Sequence, residues 1–393
     1  MRSAQHLRII VLGYLVRGPL GGLAWHYLQY VAGLAALGHD VYYLEDSSEY
    51  GACYDPRSLA QSDDPSYGLA FTASTFERMG LAERWAYYDF RTQDWIGPAA
   101  SRVPELCRTA DMVLNVSALN PITSRLQHVP VRVMIDTDPA FTQILHLQDP
   151  ARLDVARRHT AFFTFGESIP EGRSSVPSDG LAWQATRQPL VLDTWPVTAG
   201  PREGPFTSVL FWNSYAPVMY DGRSFGMKSA SFDPYVDLPR LSGSRFELAF
   251  GSRSRPSRLV KRGWHLRKPF TLTADPWIYQ TFVQASKAEF SVAKQGYVEG
   301  RTGWFSERSA GYLASGRPVV VEETGFTATL GAVEGIVPFS NLEEAVEGIT
   351  LVNKDYDRLC RAARAAAELF DARIVLASLV ERALATRGLV SPA

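Results

Sequence analysis

The segment from Glu299 to Val321 carries residues whose types and spacing could do chemistry. It reads Glu-Gly-Arg-Thr-Gly-Trp-Phe-Ser-Glu-Arg-Ser-Ala-Gly-Tyr-Leu-Ala-Ser-Gly-Arg-Pro-Val-Val-Val. The pattern predicts a glycine-bearing loop, a short helix capped by Ser306, a stop at Gly316 and then a buried strand. Free backbone N–H groups and the positive end of the helix dipole favour an anion at such a helix start. The segment therefore predicts a phosphate site facing a cleft.

Side chains around this helix start add hydrogen-bond donors for an anion. These donors are two arginines and two serines, Arg301, Arg308, Ser306 and Ser309. Glu307 is unfavourable beside a phosphate because the two negative charges repel each other. We therefore expect Glu307 either to accept hydrogen bonds from ribose hydroxyls or to be a solvated carboxylate favoured by the helix dipole.

The segment resembles the donor-binding segment of GT-B glycosyltransferases. In that family a loop, a helix and a strand with a small-small-Gly-x-Pro-Val-Val run hold the diphosphate and ribose of a nucleotide sugar. Glu299 and Glu307 also have the retaining-type spacing of two glutamates with seven residues between them. One position departs from the pattern, because Gly311 stands where the family usually has its second glutamate. Glu307 lies four residues earlier, about one helical turn, and so stays on the same helix face.

Length and composition are those of a globular protein of about two domains. The chain has 393 residues, of which 46% are hydrophobic and 21% charged. A net charge of −1 gives no electrostatic footprint for nucleic acid or for an anionic membrane. Three scattered cysteines, Cys53, Cys107 and Cys360, fit neither a disulfide framework nor a zinc site, which favours a reducing compartment. With no membrane span or signal-peptide core in the sequence, we predict a cytoplasmic protein.

The first half of the chain predicts alternating strands and helices. A strand at residues 7–12, a helix at 23–37 and a second strand at 41–44 form a βαβ unit. Further short apolar strands are predicted at residues 111–116, 132–135 and 161–165. Residues 47–83 are polar and turn-rich, and we expect them to form an insertion on the acceptor side.

Pro and Gly cluster in residues 195–205 and predict a domain boundary. After this boundary strands and helices alternate a second time. Two Rossmann-like domains facing a central cleft match the GT-B architecture, an α/β fold. We predict an acceptor-side domain at residues 1–200 and a nucleotide-sugar-binding domain at 201–370. A last helix is predicted at about residues 372–385. The resemblance implies that this end of the chain, 371–393, could cross back onto the first domain.

The turn Gly18-Pro-Leu-Gly-Gly-Leu-Ala-Trp-His26 is similar to the opening of many glycosyltransferases of this fold. In those enzymes paired glycines let the backbone approach the donor phosphate or the acceptor. The resemblance therefore implies ligand contacts for Gly21 and Gly22. Their spacing does not fit the G-x-G-x-x-G fingerprint, which disfavours a dehydrogenase.

The resemblance implies further donor contacts in the second half. Trp264 lies where related enzymes place a ring that stacks on the nucleotide base, although a core tryptophan is the alternative. Lys294 ends a strand at the cleft edge, where a cation could neutralise the diphosphate in place of a metal. The turn after the last strand of the motif, which holds donor-sugar hydroxyls in related enzymes, contributes Glu323, Thr324 and Gly325.

An inverting transfer needs a general base on the opposite side of the cleft, usually His or Asp. His26 stands at the start of the first helix, where some inverting relatives keep a histidine. Asp136 and Asp138 follow a first-domain strand, where open α/β sheets place ligands, and could share base and orienting roles. The alternatives are a packed helix residue for His26 and a turn and helix cap for the aspartates. Glu167, at another strand end, is a third candidate.

These features favour a glycosyltransferase of the hexosyltransferase type, which moves a sugar from a nucleotide-sugar donor to an acceptor hydroxyl. We expect no separate cofactor and no metal, because the only Asp-x-Asp of the second domain, at residues 355–357, falls in a C-terminal helix. The chain is similar to a poorly described bacterial group that shares residues 288–326 and 136–143. The alternatives are a nucleotide-sugar epimerase of the same fold and a non-catalytic GT-B subunit that binds a partner transferase. The acceptor stays open among a small molecule, a glycan and a macromolecule.

Overall fold

The structure, a computed structural model, describes residues 6–48, 50–252 and 256–386. Across these residues most strands gather into two parallel or mostly parallel sheets, one from each half of the chain. Helices follow the strands in both halves, as the alternating apolar pattern predicts.

The first half forms one large sheet and a separate hairpin. Its strands are β1 Arg8–Leu12, β2 Asp40–Asp46, β3 Cys53–Asp55, β4 Ala60–Ser62, β5 Trp85–Asp89, β6 Asp94–Ile96, β7 Met112–Val116, β8 Val131–Asp136, β9 Ala161–Thr164 and β10 Trp183–Ala185. Its α-helices are α1 Gly21–Ala36, α2 Ser66–Arg78, α3 Val103–Thr109, α4 Phe141–Gln148 and α5 Pro150–Ala156. The sheet order is β10-β9-β8-β7-β1-β2-β5-β6, and only β5 and β6 pair antiparallel within it. β3 and β4 form an antiparallel hairpin outside this sheet.

The second half forms a fully parallel sheet with its own hairpin. Its strands are β11 Phe206–Phe211, β12 Val218–Tyr220, β13 Arg223–Phe225, β14 Phe246–Gly251, β15 Trp264–Arg267, β16 Ala288–Ser291, β17 Val319–Glu322 and β18 Ile336–Phe339. Its first helices are α6 Lys228–Ser231, α7 Leu238–Ser242, α8 Ser257–Lys261, α9 Phe270–Thr273, α10 Pro276–Gln284 and α11 Gln295–Glu299. The later helices are α12 Glu307–Ala314, α13 Thr327–Leu330, α14 Leu342–Lys354, α15 Tyr356–Ala366 and α16 Ala372–Ala385. The sheet order is β15-β14-β11-β16-β17-β18, and β12 pairs with β13.

The polar segment at residues 47–83 contains more regular structure than its sequence suggests. It holds the β3–β4 hairpin and helix α2. The buried face of α2 includes Phe71, Thr72, Thr75 and Phe76, so two threonines replace the apolar residues that would have indicated a helix. Tertiary packing therefore overrides a weak local pattern here.

The last helix, α16, packs against the first helix, α1. Gly33 of α1 lies so close to α16 that a Cβ atom there would be 2.6 Å from the side chain of Leu376. The chain just before α16 also pairs with Leu190, whose N–H donates to Phe370 O at 2.7 Å and whose carbonyl accepts from Ala372 N at 2.8 Å. The end of the described chain is thus held against the first half.

A buried carboxylate fixes the loop that follows β1. Glu45, at the end of β2, accepts hydrogen bonds from the backbone N–H of Leu15 at 2.6 Å and of Val16 at 2.8 Å. Its other oxygen accepts from the backbone N–H of Arg17 at 3.0 Å and from Nε of the same residue at 2.8 Å. Glu45 and Arg17 are 0% and 1% exposed, so the pair is shielded from water and from salt.

Replacing Glu45 with alanine should lower the free energy of unfolding by about 3–5 kcal/mol, the scale for removing one partner of a buried ion pair. The reason is that the Arg17 guanidinium and three backbone N–H groups would lose their hydrogen bonds to this carboxylate inside the protein. Urea denaturation of the variant checks this, with the exposed Glu83→Ala as the control. A loss no larger than that of the control would mean that Glu45 does not hold this loop.

Candidate active site

A cleft of about 550 Å³ lies between the two halves of the molecule. It is reached by the carboxyl ends of several parallel strands, since Asp136 ends β8, Phe211 ends β11 and Gly251 ends β14. Ligands of open α/β sheets bind at this edge, and the volume is in the range of small-molecule sites. The cleft is therefore the candidate active site.

The predicted helix start lies on the second-half wall of the cleft. Ser306 is the N-cap of α12, and its hydroxyl accepts a hydrogen bond from Arg308 N at 3.2 Å. The first residues of α12, Glu307 and Arg308, line the cleft together with Ser306. The predicted stop is also present, because Gly316 adopts a φ of 74° directly after the helix. The predicted loop, helix and strand are confirmed, and the positive helix end is available to a ligand.

The guanidinium group of Arg308 is already engaged inside the protein. Its Nε donates to the carboxylate of Glu289 at 2.5 Å, its Nη1 to Val209 O at 2.9 Å and its Nη2 to the hydroxyl of Ser291 at 2.6 Å. Glu289 is fully buried and balances the positive charge. Arg308 thus ties α12 to the sheet, and with three of its five N–H groups used it is not the free cation that the sequence suggested. Ser309 is buried and does not line the cleft.

Lys228, at the start of α6, is a buried cation that the sequence analysis missed. Its side chain lines the cleft and is only 9% exposed. Within residues 6–48, 50–252 and 256–386 no ion pair or side-chain hydrogen bond holds its ammonium group. Burial lowers the pKa of Lys228 to about 7, and the positive charge of Arg308 adds to this effect. A lysine in this state is suited to an anionic ligand, because the ligand would supply the missing countercharge.

Asp138 and Lys294 form an ion pair across the cleft. The distance between Lys294 Nζ and Asp138 Oδ1 is 2.7 Å. The hydroxyls of Tyr215 and Tyr297 also donate to the Asp138 carboxylate. The predicted base and the predicted phosphate cation therefore neutralise each other in this structure. The ammonium group of Lys294 donates to Asp138 and to the hydroxyl of Tyr215, which leaves one of its three N–H donors for a ligand.

Asp136 is a structural carboxylate. It accepts hydrogen bonds from Thr142 Oγ1 at 2.6 Å, Gln143 Nε2 at 2.9 Å, Thr164 Oγ1 at 2.8 Å and Asp138 N at 2.9 Å. Burial raises the pKa of Asp136, while these four hydrogen bonds act in the opposite direction. With all its lone pairs directed at fixed donors, Asp136 organises the turn after β8 and orients Asp138.

His26 lines the cleft from the first-half side and is 8% exposed. Its Nε2 lies 3.5 Å from the hydroxyl of Ser117, which in turn is 2.8 Å from Thr137 Oγ1. Burial lowers the pKa of His26, with an opposing influence from Glu307. The imidazole is therefore neutral at pH 7, which is the form that can accept a proton.

The paired glycines bring the two halves together. A Cβ atom on Gly21 would lie 2.5 Å from Asp275 O, and one on Gly22 would lie 3.1 Å from the ring of Tyr279. Next to them, Trp25 Nε1 donates to Pro276 O at 2.7 Å. Gly22 still lines the cleft, whereas Gly21 does not. The close approach that Gly21 permits is to helix α10, and not to a ligand as predicted.

Trp264 does not have the predicted role. It lies in strand β15 and is 1% exposed, with its ring centroid 4.9 Å from those of Phe232 and Phe246. Its Nε1 donates to Val236 O at 2.9 Å. A ring inside the core cannot stack on a nucleotide base, so the alternative of a core tryptophan is correct. An aromatic ring that does line the cleft is Phe270 of α9.

The turn after β17 does not reach the cleft wall. The Glu323 carboxylate accepts a hydrogen bond from Gly325 N at 2.5 Å, and Thr324 Oγ1 donates one to Trp304 O at 2.5 Å. Backbone pairing also joins Thr324 O to Gly303 N at 2.8 Å. None of the three predicted sugar-binding residues of this turn lines the cleft. They hold the loop before α12 in place, which is a correction to their predicted contacts.

Three further charged residues of the sequence analysis lie away from the cleft. Glu167 is buried and accepts a hydrogen bond from Arg187 Nη2 at 2.7 Å. Glu299 pairs with Arg223 at 2.6 Å, and Arg301 is exposed. Glu167 is therefore not placed to act as the base for a ligand in this cleft.

Among the residues that the structure describes, no group of three or more His, Cys, Asp or Glu side chains is arranged to hold a metal ion. Within the described part of the chain, no helix combines the length and apolar character needed to cross a membrane.

Solved structures place the chain in the GT-B fold class. An alpha-glucosyltransferase in complex with UDP and a 13-mer DNA containing a central A:G mismatch matches with a TM-score of 0.58 at 10% identity, over 96% of this chain and 99% of that chain. AviGT4, a glycosyltransferase involved in Avilamycin A biosynthesis, matches with a TM-score of 0.54 at 15% identity, over 97% and 98%. HepE of Anabaena in complex with UDP-glucose matches with a TM-score of 0.54 at 13% identity, over 96% and 99%.

No protein-family model matches the sequence, and no curated protein matches it. At identities this low the structural likeness shows the fold alone. The predicted fold class, α/β with two Rossmann-like halves in the GT-B arrangement, is confirmed.

Proposed function

We propose that this protein is a nucleotide-sugar-dependent glycosyltransferase of the hexosyltransferase type. The observation that carries the proposal is the arrangement of charge in the cleft. Lys228 and the N-terminus of α12 lie on the second-half wall, and a neutral His26 lines the first-half wall. An anionic donor and an acceptor hydroxyl are the two reactants that such an arrangement suits.

On the donor side, a nucleotide diphosphate would accept hydrogen bonds from the free N–H groups of α12 and pair with Lys228. Lys294 would add a second cation through its remaining N–H donor while it stays paired with Asp138. Glu307 lines the same wall and is proposed to accept hydrogen bonds from the ribose hydroxyls. The positive charge stabilises the leaving diphosphate as the bond to the anomeric carbon breaks.

On the acceptor side, His26 is proposed to be the general base. The acceptor oxygen attacks the anomeric carbon, the bond to the diphosphate oxygen breaks and the acceptor proton moves to the imidazole Nε2. Ser117, 3.5 Å from this nitrogen, is in position to orient the acceptor hydroxyl. This is an inverting displacement, and the anomeric configuration of the product, read by NMR, tests it directly.

A panel of UDP-, GDP- and dTDP-sugars tests the proposed activity, with release of free nucleotide measured with and without acceptors. Acceptor-dependent release supports a transferase. Conversion of one nucleotide sugar into another without release would identify an epimerase of the same fold. Tight nucleotide binding with no turnover on any acceptor would instead indicate a non-catalytic subunit.

We also propose that nucleotide binding is independent of divalent metal, because Lys228 and Lys294 supply the positive charge at the diphosphate. The dissociation constant of UDP, measured by calorimetry, should be the same with EDTA as with Mg²⁺. Loss of binding in EDTA would show that a metal bridges the diphosphate and would contradict this part of the proposal.

The proposal includes a reducing, cytoplasmic setting. It is supported by Cys53, Cys107 and Cys360, each of which is a free thiol.

A further inference from the structure

The first-half wall of the cleft is rich in large apolar and aromatic side chains. Six of them, here called the apolar wall, are Tyr14, Leu20, Leu23, Pro56, Leu59 and Leu119. The loop after β1 with the first turn of α1, the hairpin β3–β4 and the turn after β7 contribute them, so three separate parts of the first half present the same chemistry. The apolar surface therefore does not depend on a single exposed side chain.

The acidic and basic side chains on the first-half side of the cleft carry no uncompensated charge. They are His26, Asp136 and Asp138. His26 is neutral at pH 7, Asp136 accepts four hydrogen bonds, and Asp138 pairs with Lys294. A polyanionic acceptor would therefore meet no free cation on this wall among the described residues.

Backbone geometry holds two of the apolar side chains toward the cleft at a cost. Leu59 adopts a φ of 56°, and the turn before Leu119 places Ser117 and Ala118 at φ values of 63° and 50°. Such left-handed conformations are unfavourable for residues other than glycine and cluster where a protein positions groups for function. Asn120 anchors this turn by donating from Nδ2 to Gly13 O at 2.8 Å.

The same side chains remain partly open to solvent. Leu59 is 37% exposed and Leu119 is 48% exposed, although both line a deep cleft. Across from them, Phe211 of β11 is also 48% exposed and lines the cleft. Exposed apolar surface in a cleft gains free energy when a ligand covers it with apolar surface of its own.

We propose that the acceptor is an uncharged hydroxyl compound with an apolar body, and that Leu59 and Leu119 determine this specificity. The hydroxyl lies near His26, and the body of the acceptor packs along the apolar wall. This inference rests on the proposed function, because it names the acceptor class of the same site.

The test compares three acceptors of different chemistry, 2-naphthol, glucose and a hydroxymethyl-bearing DNA oligonucleotide, each with the nucleotide sugar that the panel selects. We expect transfer to 2-naphthol. The variants Leu59→Asp and Leu119→Asp should raise the KM for 2-naphthol by about tenfold or more, since each places a charge where apolar contact is lost. Leu241→Asp is the matched control, because Leu241 is a leucine 45% exposed on α7 that does not line the cleft.

Two further measurements separate failure of this inference from failure of the proposed function. UDP binding by calorimetry reports on the donor site, and 2-naphthol fluorescence with UDP-loaded protein reports on acceptor binding without turnover. If UDP does not bind, the proposed function fails and the inference fails with it. If UDP binds but glucose or the oligonucleotide is glycosylated while 2-naphthol neither binds nor reacts, the inference is wrong and the transferase stands. The inference is also wrong if Leu59→Asp and Leu119→Asp both bind 2-naphthol as tightly as the unmodified protein does.

Discussion

His26→Ala should lower turnover by about 10²-fold or more, the usual scale for losing a general base, while nucleotide affinity stays nearly unchanged. The expected separation follows from position. His26 lines the first-half wall of the cleft, whereas the proposed diphosphate contacts come from Lys228 and α12 of the second half. A loss in kcat without a loss in nucleotide binding would show that the imidazole acts on the acceptor.

The pH profile adds an independent check on His26. Burial lowers the pKa of His26, so the neutral imidazole persists to more acidic pH than an exposed histidine allows. Turnover should therefore fall as the pH drops through a value below the ordinary histidine pKa, and this acidic limb should disappear in His26→Ala. His128→Ala is the control, because His128 is an exposed histidine of the same half. Near-full turnover of His26→Ala with saturating acceptor would remove this residue as the base.

The fold could be predicted from the sequence because its signals are local. Short apolar runs bounded by Gly, Pro and charged residues locate the core strands, and the predicted last helix has the bounds observed for α16, Ala372–Ala385. The apolar pattern does not predict helix α2, because two of its five buried residues are threonines and one is a glycine. Local pattern is sufficient only where apolar residues alone form the face that is buried.

The candidate site was harder to predict because its chemistry depends on residues that are distant in the sequence. Asp138 and Lys294 lie 156 positions apart in the sequence. The sequence predicts a free functional group at each position, whereas the structure shows that the two side chains form an ion pair. Arg308 similarly meets a buried Glu289. Trp264 follows β14 at the distance expected for a ring that stacks on a base, but only the packing of the second sheet shows that its ring is enclosed. Sequence spacing places such residues near the cleft without showing what neutralises or covers them.

Lys228 illustrates the opposite case, a site residue with almost no sequence signal. It is one lysine in an ordinary run, at the start of α6 and shortly after β13. Its importance comes from burial without a partner among the described residues, and burial is a property of the folded chain. A strongly shifted pKa in a cleft is a recognised marker of a functional group, and here it coincides with a lining position.

Lys228→Met should weaken binding of the nucleoside diphosphate by roughly 1.5–3 kcal/mol, the scale for a hydrogen bond to a charged group. Methionine keeps much of the length of lysine and removes a buried charge, so we expect the variant to fold. Calorimetric titration with UDP measures the change, and Lys268→Met is the control, because Lys268 is an exposed lysine of the same half. The control should bind UDP like the unmodified protein.

Proton uptake on nucleotide binding is a second test of the role of Lys228. Burial lowers the pKa of Lys228 to about 7, so above pH 7 the amine is largely neutral in the free protein. A bound diphosphate favours the charged ammonium and raises this pKa, so binding at about pH 8 should take up a proton, and affinity should decrease as the pH rises above 7. Glu322, whose pKa burial raises to about 7, is a second group that titrates in this range. The two are distinguished by titrations at pH 8 in buffers of different ionisation enthalpy, because Lys228→Met should abolish the uptake and Glu322→Gln should keep it. Unchanged UDP affinity and unchanged proton uptake in Lys228→Met would exclude this lysine from the donor site.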